Sequence, residues 1–254
     1  MTKVLIDGDI IAYRSASHRV PVVDEHNNPV VDEETGVGLK RPCTLEEALE
    51  KSDTLIAKIL ERTLFIAAPH EYQVYLTGKG NFRFEIAKSH IYKGNRKDGE
   101  KPLWLPNVRQ HMQEKWNAIV SEGEEADDLI AIEATRYGPD TIVASIDKDM
   151  MQLPCKHYNF GRDEWYKVDE LEGLTFFYTQ ILTGDSADNI IGLYRVGPAK
   201  AKTILAGCDT EEKLWDAVVK AYDGDEERVV ENARLLWLRR KEGELWQAPR
   251  DREP

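Results

Sequence analysis

Short apolar runs that end at an acidic residue recur along the first two-thirds of the chain. Residues 4–6 come directly before Asp7, and residues 141–146 come directly before Asp147. Brief runs of this kind are typical of strands that are buried on both faces of a parallel sheet. Two more strands are predicted at residues 73–77 and 118–120. We therefore expect a mostly parallel sheet whose first strand is residues 4–6.

Helical patterns alternate with these strands and then fill the last third of the chain. Thr44 and Glu47 form a capping box, which predicts a helix that runs to about residue 67. An amphipathic helix is predicted from residue 124. Other helices are predicted at residues 107–116, 174–183, 199–205, 211–222 and 226–240. This order indicates an α/β domain followed by a helical subdomain, with a polar and loosely held tail from Gly243.

The segment before the capping box has a different character. Residues 18–42 are mostly polar, with Pro, Asn and Gly spread among them. Within it, residues 20–23 and 29–31 flank the turn-forming pair Asn27 and Asn28. We expect a hairpin that projects from the domain.

Composition narrows the class of protein. Of the 254 residues, 41% are hydrophobic and 31% are charged, so a folded domain is expected rather than a disordered chain. The length suits one large α/β domain, or a domain with a small satellite. The net charge of −12 excludes a uniformly basic surface for nucleic acid but leaves a local basic patch open.

Three sequence features bear on location. No apolar run approaches the roughly 20 residues of a membrane span. Acidic residues follow the first strand at once, which is unlike a secretory signal. Cys43, Cys155 and Cys208 are far apart and fit no metal-binding or redox spacing. These features predict a cytosolic protein with reduced thiols and no membrane partner.

Acidic side chains collect where the predicted strands end. Asp7 ends the first strand and Asp147 follows the strand at 141–146. In open parallel sheets the carboxyl ends of the strands meet at one edge, where ligands bind, so we expect these side chains to converge. The predicted cluster comprises Asp7, Glu125, Asp127, Asp128, Asp147, Asp149, Asp185 and Asp188.

A cluster of eight carboxylates requires cations. Two unit charges 4 Å apart repel by about 1 kcal/mol in water and about 4 kcal/mol at an effective dielectric of 20. Oxygen ligands without His or Cys favour Mg²⁺ or Mn²⁺, so a divalent metal site is predicted. Simpler alternatives exist for single groups, since residues 125–128 suit a helix N-terminus and residues 185–188 suit a turn and a cap. Asp9 is placed behind the ligands, because side chains alternate along a strand.

Residues 79–101 form a locally basic segment. They contain seven basic and three acidic side chains, a balance of +4 in an acidic chain, with Phe82, Phe84 and Tyr92 interleaved. Cations and aromatic rings together suit a phosphate backbone and stacked bases. The alternative is a solvated loop that neutralises part of the acidic cluster.

Residues 192–200, GLYRVGPAK, lie between two predicted helices. Gly197 frees the backbone and Pro198 suits the first position of a helix, whose free amides would then face a phosphate. Lys200 and Lys202 add positive charge there. The pattern favours a helix–hairpin–helix that grips duplex backbone, and the alternative is a plain connecting turn.

Taken in order, these pieces resemble the 5′→3′ exonuclease and flap endonuclease family, and bacteriophage exonucleases of the T7 and T5 type most closely. The resemblance covers most of the chain, from the first strand to about residue 205. The matching stretches are LIDGD at 5–9, YKGNRK at 92–97, EEADDL at 124–129, SIDKD at 145–149, TGDSADN at 183–189 and the glycine hairpin at 192–200.

The resemblance implies a PIN-like nuclease domain over residues 1–170, which includes a mobile basic arch at 78–106. It also implies a helix–three-turn–helix subdomain over residues 171–242 that clamps duplex DNA, followed by a tail at 243–254. Residues of the arch and hairpin that it assigns to DNA are Tyr92, Lys97, Arg195, Gly197, Lys200 and Lys202.

The resemblance further implies two divalent ions, Mg²⁺ or Mn²⁺, and a monovalent ion such as K⁺ at the hairpin. Lys93 and Arg96 would face the scissile phosphate from the base of the arch. By motif, the first ion would be held by Asp7, Glu125 and Asp127, with Asp128 close by; the second would be held by Asp149, Asp185 and Asp188, with Asp147 between the two.

One position departs from the family pattern. The family has an Asp just after the second strand, and the sequence aligns Gly78 there. Asp9 or a water molecule would then substitute for the missing carboxylate. The departure puts the affinity for the first ion in question, but it does not affect the expected fold.

The activity implied is metal-dependent hydrolysis of DNA phosphodiester bonds from 5′ ends or flaps. RNA in RNA–DNA hybrids is a further substrate implied by a role in removing primers during phage replication in the cytoplasm of the bacterial host. A polymerase partner would fit that role, but no residue of the sequence points to one.

Two rival functions are open at this stage. Asp7 and Asp9 after a strand resemble the nucleophile and acid of haloacid-dehalogenase-type phosphatases, although Ile11 stands where that family has Thr or Val. The second rival is a DNA-binding relative disabled by Gly78, against which the other matching carboxylates argue.

Overall fold

A computed structural model describes residues 2–64, 70–96 and 100–252 of the chain. Its centre is a six-stranded sheet of order β5-β4-β1-β6-β7-β8, in which every neighbouring pair is parallel except β7 and β8. The described residues form ten strands, which are β1 Thr2–Asp7, β2 Arg19–Pro21, β3 Lys40–Pro42, β4 His70–Lys79, β5 Ile119–Glu122, β6 Ile142–Ala144, β7 Lys156–Asn159, β8 Glu164–Lys167, β9 Gly184–Asp185 and β10 Ile190–Ile191.

Helices cover the sheet and build the C-terminal part of the molecule. They are α1 Gly8–Ser17, α2 Leu45–Leu64, α3 Arg83–Ile86, α4 Leu105–Trp116, α5 Ala126–Tyr137, α6 Glu170–Thr183, α7 Pro198–Ile204, α8 Glu211–Ala221 and α9 Glu226–Leu236, with short 3-10 helices at Lys148–Gln152 and Pro249–Asp251. All the predicted helices are present. The predicted end of α2 at about residue 67 lies outside the described residues, and α9 ends at Leu236 rather than at residue 240.

The predicted strands and hairpin are confirmed, and one hairpin of the main sheet was not predicted. Antiparallel β2 and β3, with bridges from Val23 to Pro29 and from Val31 to Gly38, form the arm expected at residues 18–42. The unpredicted hairpin is β7 and β8, at the edge of the main sheet. Its strands read KHYN and EWYK, which lack the apolar run that marks a central strand.

The core has three parts. One face of the sheet packs against α1, α2 and α4, and the other packs against α5. A third cluster lies among α6, α7, α8 and α9, as expected for a helical subdomain. The tail differs from the prediction, because Trp246 and Ala248 are each 2% exposed and belong to this helical cluster. None of the described helices combines the length and apolar character needed to cross a membrane.

A buried ion pair joins the helical part to the α/β part. Arg83, at the start of α3, is 1% exposed and donates to both carboxylate oxygens of Asp128 on α5, at 2.6 and 2.8 Å. The same guanidinium donates to the backbone carbonyls of Leu235 and Trp237, at 2.9 and 2.8 Å. Three elements that are distant in sequence are therefore fixed to one another by a single side chain.

This pair predicts a large loss of stability when one partner is removed. Asp128→Ala leaves the guanidinium buried without its counter-charge, which typically costs about 3–5 kcal/mol. Urea unfolding in EDTA measures the loss without interference from bound metal. The matched control is Asp140→Ala, because Asp140 pairs with Lys156 on an open surface, where an ion pair contributes little. Similar unfolding midpoints for the two variants would contradict the joint described here.

Candidate metal and nucleic-acid site

The carboxyl ends of the central strands open into one cavity of about 340 Å³. Asp7 ends β1, while Asp147 and Asp149 follow the neighbouring strand β6. The loop after α6 brings two more carboxylates to the same cavity. Seven of the eight predicted ligands line it: Asp7, Glu125, Asp127, Asp147, Asp149, Asp185 and Asp188.

Asp7 is the most enclosed of these groups on the sheet. It is 2% exposed, accepts a hydrogen bond from the Ser145 hydroxyl at 2.7 Å, and caps α1 by accepting from the backbone N–H of Ile10 at 3.4 Å. Burial raises the pKa of the Asp7 carboxyl to about 7, against the effect of these hydrogen bonds. Burial, together with the charge of Asp7, also raises the pKa of Asp127 well above its usual value.

The second group of carboxylates comes from Asp149 and the loop after α6. Burial raises the pKa of Asp149 to about 7, and the charge of Asp147 adds to this effect. Burial would also raise the pKa of Asp185, but hydrogen bonds from Lys148 and from backbone amides outweigh it and hold that pKa below its usual value. Because burial opposes the ionisation of Asp7, Asp127 and Asp149, a bound cation would stabilise their charged forms.

Basic side chains of the protein lie against these carboxylates. Lys148 donates to Asp185 at 2.7 Å, and Arg96 donates to Asp188 at 2.7 Å. Lys93 donates to Glu125. Lys148 and Arg96 are more than half exposed, at 62% and 56% of their side chains, so they can leave the carboxylates at modest cost.

The donor set fits hard divalent cations. The seven side chains supply only carboxylate oxygens, with no sulfur or imidazole among the residues that line the cavity. Among the described residues, no three His, Cys, Asp or Glu side chains stand close enough to hold one ion in the conformations shown. Three of the carboxylates, Glu125, Asp188 and Asp185, are instead paired with basic side chains of the protein.

Asp128 stands apart from the other predicted ligands. Both of its oxygens are taken up by the buried guanidinium of Arg83, and Oδ1 also accepts from the backbone N–H of Arg239 at 3.2 Å. Oδ2 accepts from the N–H of Glu125, which closes the capping box of α5. These contacts give Asp128 a structural role that supports Glu125 rather than a free ligand position.

The geometry at the end of β4 changes which residue should be compared with the Asp of the family pattern. A side chain at Gly78 would point into β5, since its Cβ would lie 1.9 Å from the carbonyl oxygen of Ser121. The residue that lines the cavity is Thr77, whose hydroxyl accepts from the N–H of Ala126 at 2.9 Å. Thr77, rather than Gly78, therefore occupies the place where a carboxylate could reach the site.

Asp9 supports the same corner of the cavity. It lies in the first turn of α1 rather than on a continuing strand, and its Oδ2 accepts from the backbone N–H of Thr77 at 2.8 Å. Arg109 of α4 donates to Asp9 and to the carbonyl of Thr77. Asp9 is thus held as a partner of Arg109, in line with the expectation that it stands behind the ligands.

The basic segment places Lys93 and Arg96 at the cavity, whereas the ring of Tyr92 is enclosed. Tyr92 is 2% exposed and packs within the helical cluster, with its hydroxyl donating to Asp188 at 2.8 Å. A ring so enclosed is not available to stack on a base in this conformation. Lys97, also predicted to bind DNA, lies outside the described residues.

The predicted hairpin joins β10 to α7 and is exposed at its tip. Arg195, Gly197, Lys200 and Lys202 all face solvent, and Pro198 is the first residue of α7 as predicted. The left-handed backbone is at Arg195, with φ of 58°, whereas Gly197 has an extended backbone with φ of −97°. A non-glycine residue in that region is uncommon and marks a tightly determined turn.

Sequence analysis did not identify three residues that contact groups of the site. Lys148 lies between Asp147 and Asp149, so its place in the motif could have drawn attention to it. Arg109 and Gln180 lie on helices far from the acidic motifs in sequence, and no local pattern distinguishes them from other polar helix residues.

Comparison with known proteins supports the resemblance. No family model matches the chain. A 5′-3′ exonuclease of Mycoplasmopsis pulmonis is 26% identical over 181 residues, which are 65% of this chain and 57% of that protein. Flap endonuclease Xni of Vibrio parahaemolyticus is 29% identical over 163 residues, 57% of this chain and 62% of that protein. The chain thus covers 57% and 62% of the lengths of these two relatives.

Solved structures match over nearly the whole chain. The T5 D15 protein co-crystallised with metal ions covers 93% of this chain and 89% of its own, with a TM-score of 0.64 at 16% identity. The bacteriophage T5 D15 flap endonuclease in a pseudo-enzyme–product complex with DNA and metal ions gives a TM-score of 0.63 at 16% identity. The chain is therefore similar in sequence to 5′-3′ exonucleases and flap endonucleases, and it has the α/β fold of the bacteriophage T5 structures, with a mostly parallel sheet and C-terminal helices.

Proposed function

We propose that the chain is a metal-dependent 5′→3′ exonuclease and flap endonuclease that hydrolyses DNA phosphodiester bonds. The observation that carries this proposal is the cavity at the carboxyl edge of the sheet, where seven carboxylates meet Lys93 and Arg96. Acidic groups alone would repel a nucleic acid, so such a cavity suits a phosphate only together with cations.

The carboxylates divide into two sets that would hold Mg²⁺ or Mn²⁺. We assign Asp147 to a place between the sets, because its charge raises the pKa of both Asp127 and Asp149. The first set is Asp7, Glu125 and Asp127; the second is Asp149, Asp185 and Asp188. When bound, the two ions would lower the pKa of a bound water molecule and would neutralise negative charge on the phosphate oxygens.

The chain's own cations take part by changing partners. Lys93 and Arg96 hold Glu125 and Asp188 in the structure, both of which belong to the proposed ligand sets. Once those carboxylates ligate ions, the two basic side chains are free to contact the phosphate at the cavity mouth. Their charge would then stabilise the negative charge that develops during cleavage.

The exposed hairpin would grip the duplex away from the cleavage point. Its free amides at the start of α7 and the charges of Lys200 and Lys202 suit phosphates, with a monovalent ion such as K⁺ at the turn. Duplex DNA with a 5′ end or flap is the proposed substrate, and RNA in RNA–DNA hybrids is a further one. We place this activity in phage DNA replication in the cytoplasm of the host.

The phosphatase alternative is less consistent with the contacts that Asp9 makes. In that mechanism Asp9 would be the general acid, but here it is held by Arg109 and by the N–H of Thr77. Both carboxylate oxygens of Asp9 are engaged in these contacts, Oδ1 with Arg109 and Oδ2 with Thr77, so neither is free to face a leaving group. The capture of a covalent aspartyl-phosphate at Asp7 would overturn the nuclease proposal.

The direct test uses 5′-labelled duplex and 5′-flap DNA with Mg²⁺, with Mn²⁺ and with EDTA. We expect 5′-phosphorylated nucleotides or short oligonucleotides with either ion and no cleavage in EDTA, because the carboxylates cannot act on a phosphate unaided. Asp185→Asn, which removes one charge from the second set, is the inactive control. Cleavage that is equal in EDTA, or absent with both ions, would contradict the proposal.

Lys93 and Lys200 are predicted to affect different kinetic steps. Lys93→Ala should lower kcat by about 100-fold or more and leave duplex affinity within a few-fold, since its charge acts at the cleaved phosphate. Lys200→Ala should weaken duplex binding. It should also reduce the slope of log affinity against log salt concentration by about one, because one phosphate contact is lost. Single-turnover rates and binding at several salt concentrations separate the effects, with Lys58→Ala on α2 as the control. If both substitutions changed affinity alone, the role given to Lys93 would be wrong.

The end of β4 offers a gain-of-function test. Thr77→Asp should place a carboxylate beside Asp7 and Glu125, so the Mg²⁺ concentration for half-maximal cleavage should fall. Gly78→Asp should instead destabilise the fold by about 1–3 kcal/mol, because its side chain meets the β5 backbone. Thermal melts accompany the Mg²⁺ titrations of both variants. A stable Gly78→Asp protein with higher Mg²⁺ affinity would restore the original alignment and refute this one.

A further inference from the structure

A buried chain of two side-chain amides leads to Asp149. Gln180 of α6 is 4% exposed, and its Nε2 donates to Asp149 Oδ1 at 2.7 Å. Its Oε1 accepts from Nε2 of Gln152 at 3.0 Å. Gln152 is 2% exposed, so both amides are removed from water. Buried polar groups carry a large penalty unless each donor and acceptor is matched, which makes the direction of every bond in this chain informative.

The backbone at the end of α9 fixes that direction. The N–H of Leu238 can only donate, and it donates to Gln152 Oε1 at 3.2 Å. The carbonyl of Leu236 can only accept, and it accepts from Gln152 Nε2 at 2.8 Å. The orientation of the Gln152 amide is therefore set by two backbone groups that cannot exchange roles.

The fixed orientation passes to Gln180. Because Gln152 offers its Nε2 to Gln180, the Gln180 oxygen must face Gln152 and its Nε2 must face Asp149. A flipped Gln180 amide would place two donors together at one end and two acceptors together at the other. Gln180 can thus present only a donor to Asp149 without leaving a buried group unmatched.

Asp149 is held on two sides. Gln180 fixes its Oδ1, and its backbone N–H donates to Asp147 Oδ1 at 2.8 Å. Among the described residues, no hydrogen bond is made to Asp149 Oδ2, and the residue lines the cavity. The arrangement holds one oxygen in place and leaves the other available to an ion.

We propose that Gln180 is a positioning residue for the second metal, acting through Asp149. The inference rests on the proposed function, because it assigns Asp149 to that metal. Hydrogen bonds to the ligands of a metal ion orient them, and their loss typically weakens metal binding by about 10- to 100-fold. Gln180 thereby couples the second site to the backbone of residues 236–238, through Gln152.

Gln180→Glu tests the direction of the hydrogen bond, since it keeps the shape of the side chain. Its ionised carboxylate can still accept from Gln152, but it offers no donor to Asp149 and brings a like charge against it. We expect Mn²⁺ binding at one of two sites to weaken by about tenfold or more in calorimetry. Gln180→Leu removes the donor without adding charge and should weaken the same site, so one informative variant remains if the other fails to fold.

A matched control separates positioning from general stability. Asn232 of α9 is another buried amide, 5% exposed, which donates to the carbonyl of Ile191 away from the cavity. Asn232→Leu should lower the melting temperature and leave both Mn²⁺ affinities unchanged. Asp185→Asn identifies which calorimetric site is the second one.

The outcomes distinguish this inference from the proposed function. If the wild-type protein binds two Mn²⁺ ions and both Gln180 variants bind them with unchanged affinity, Gln180 is only a buried helix residue and the inference is wrong. If the wild-type protein binds no Mn²⁺ and cuts no DNA, the proposed function fails and the role of Gln180 fails with it. Selective weakening of the site that Asp185→Asn also weakens supports both.

Discussion

The mutual repulsion of carboxylates at one edge of the sheet is the constraint on which the rest of the site depends. Seven of these groups share a cavity of about 340 Å³, and at effective dielectrics near 20 each close pair costs several kcal/mol. Burial raises the pKa of both Asp7 and Asp149 to about 7, and the charges of neighbouring carboxylates add to this effect. Several elements that border the cavity contribute a hydrogen-bond donor or a basic side chain to these carboxylates.

The side chains that donate hydrogen bonds to the carboxylates are of two kinds, distinguished by their exposure to solvent. Arg83 and Gln180 are buried and fully committed, so they fix the carboxylates they touch. Lys148 and Arg96 are more than half exposed and each holds a carboxylate that an ion could claim. These two cations can change partners at modest cost, because their own side chains remain largely in water. The protein thus carries its own replaceable counter-ions where divalent ions are proposed to bind.

The carboxylate cluster could be predicted from sequence because strand ends are a local signal. What could not be predicted is the tertiary partner of each acid. Asp127 and Asp128 are neighbours in the same helical turn, and only the burial of Arg83 against Asp128 separates a candidate ligand from a structural residue. In the same way, Arg83 counted as part of a basic segment, although it is fully enclosed. Thr77 and Gly78 differ by one position along β4, which reverses the direction of the side chain.

The C-terminal helical part helps to build the carboxylate site. Carbonyls of Leu235 and Trp237 hold Arg83 against Asp128, and Leu236 and Leu238 set the amide chain that ends at Asp149. One stretch of backbone at the end of α9 therefore supports both halves of the carboxylate cluster. A chain boundary near residue 170 would divide the sequence but would also cut these buried hydrogen bonds. The α/β part alone would lose Asp185 and Asp188 together with the groups that orient its own carboxylates, so the two parts depend on each other structurally.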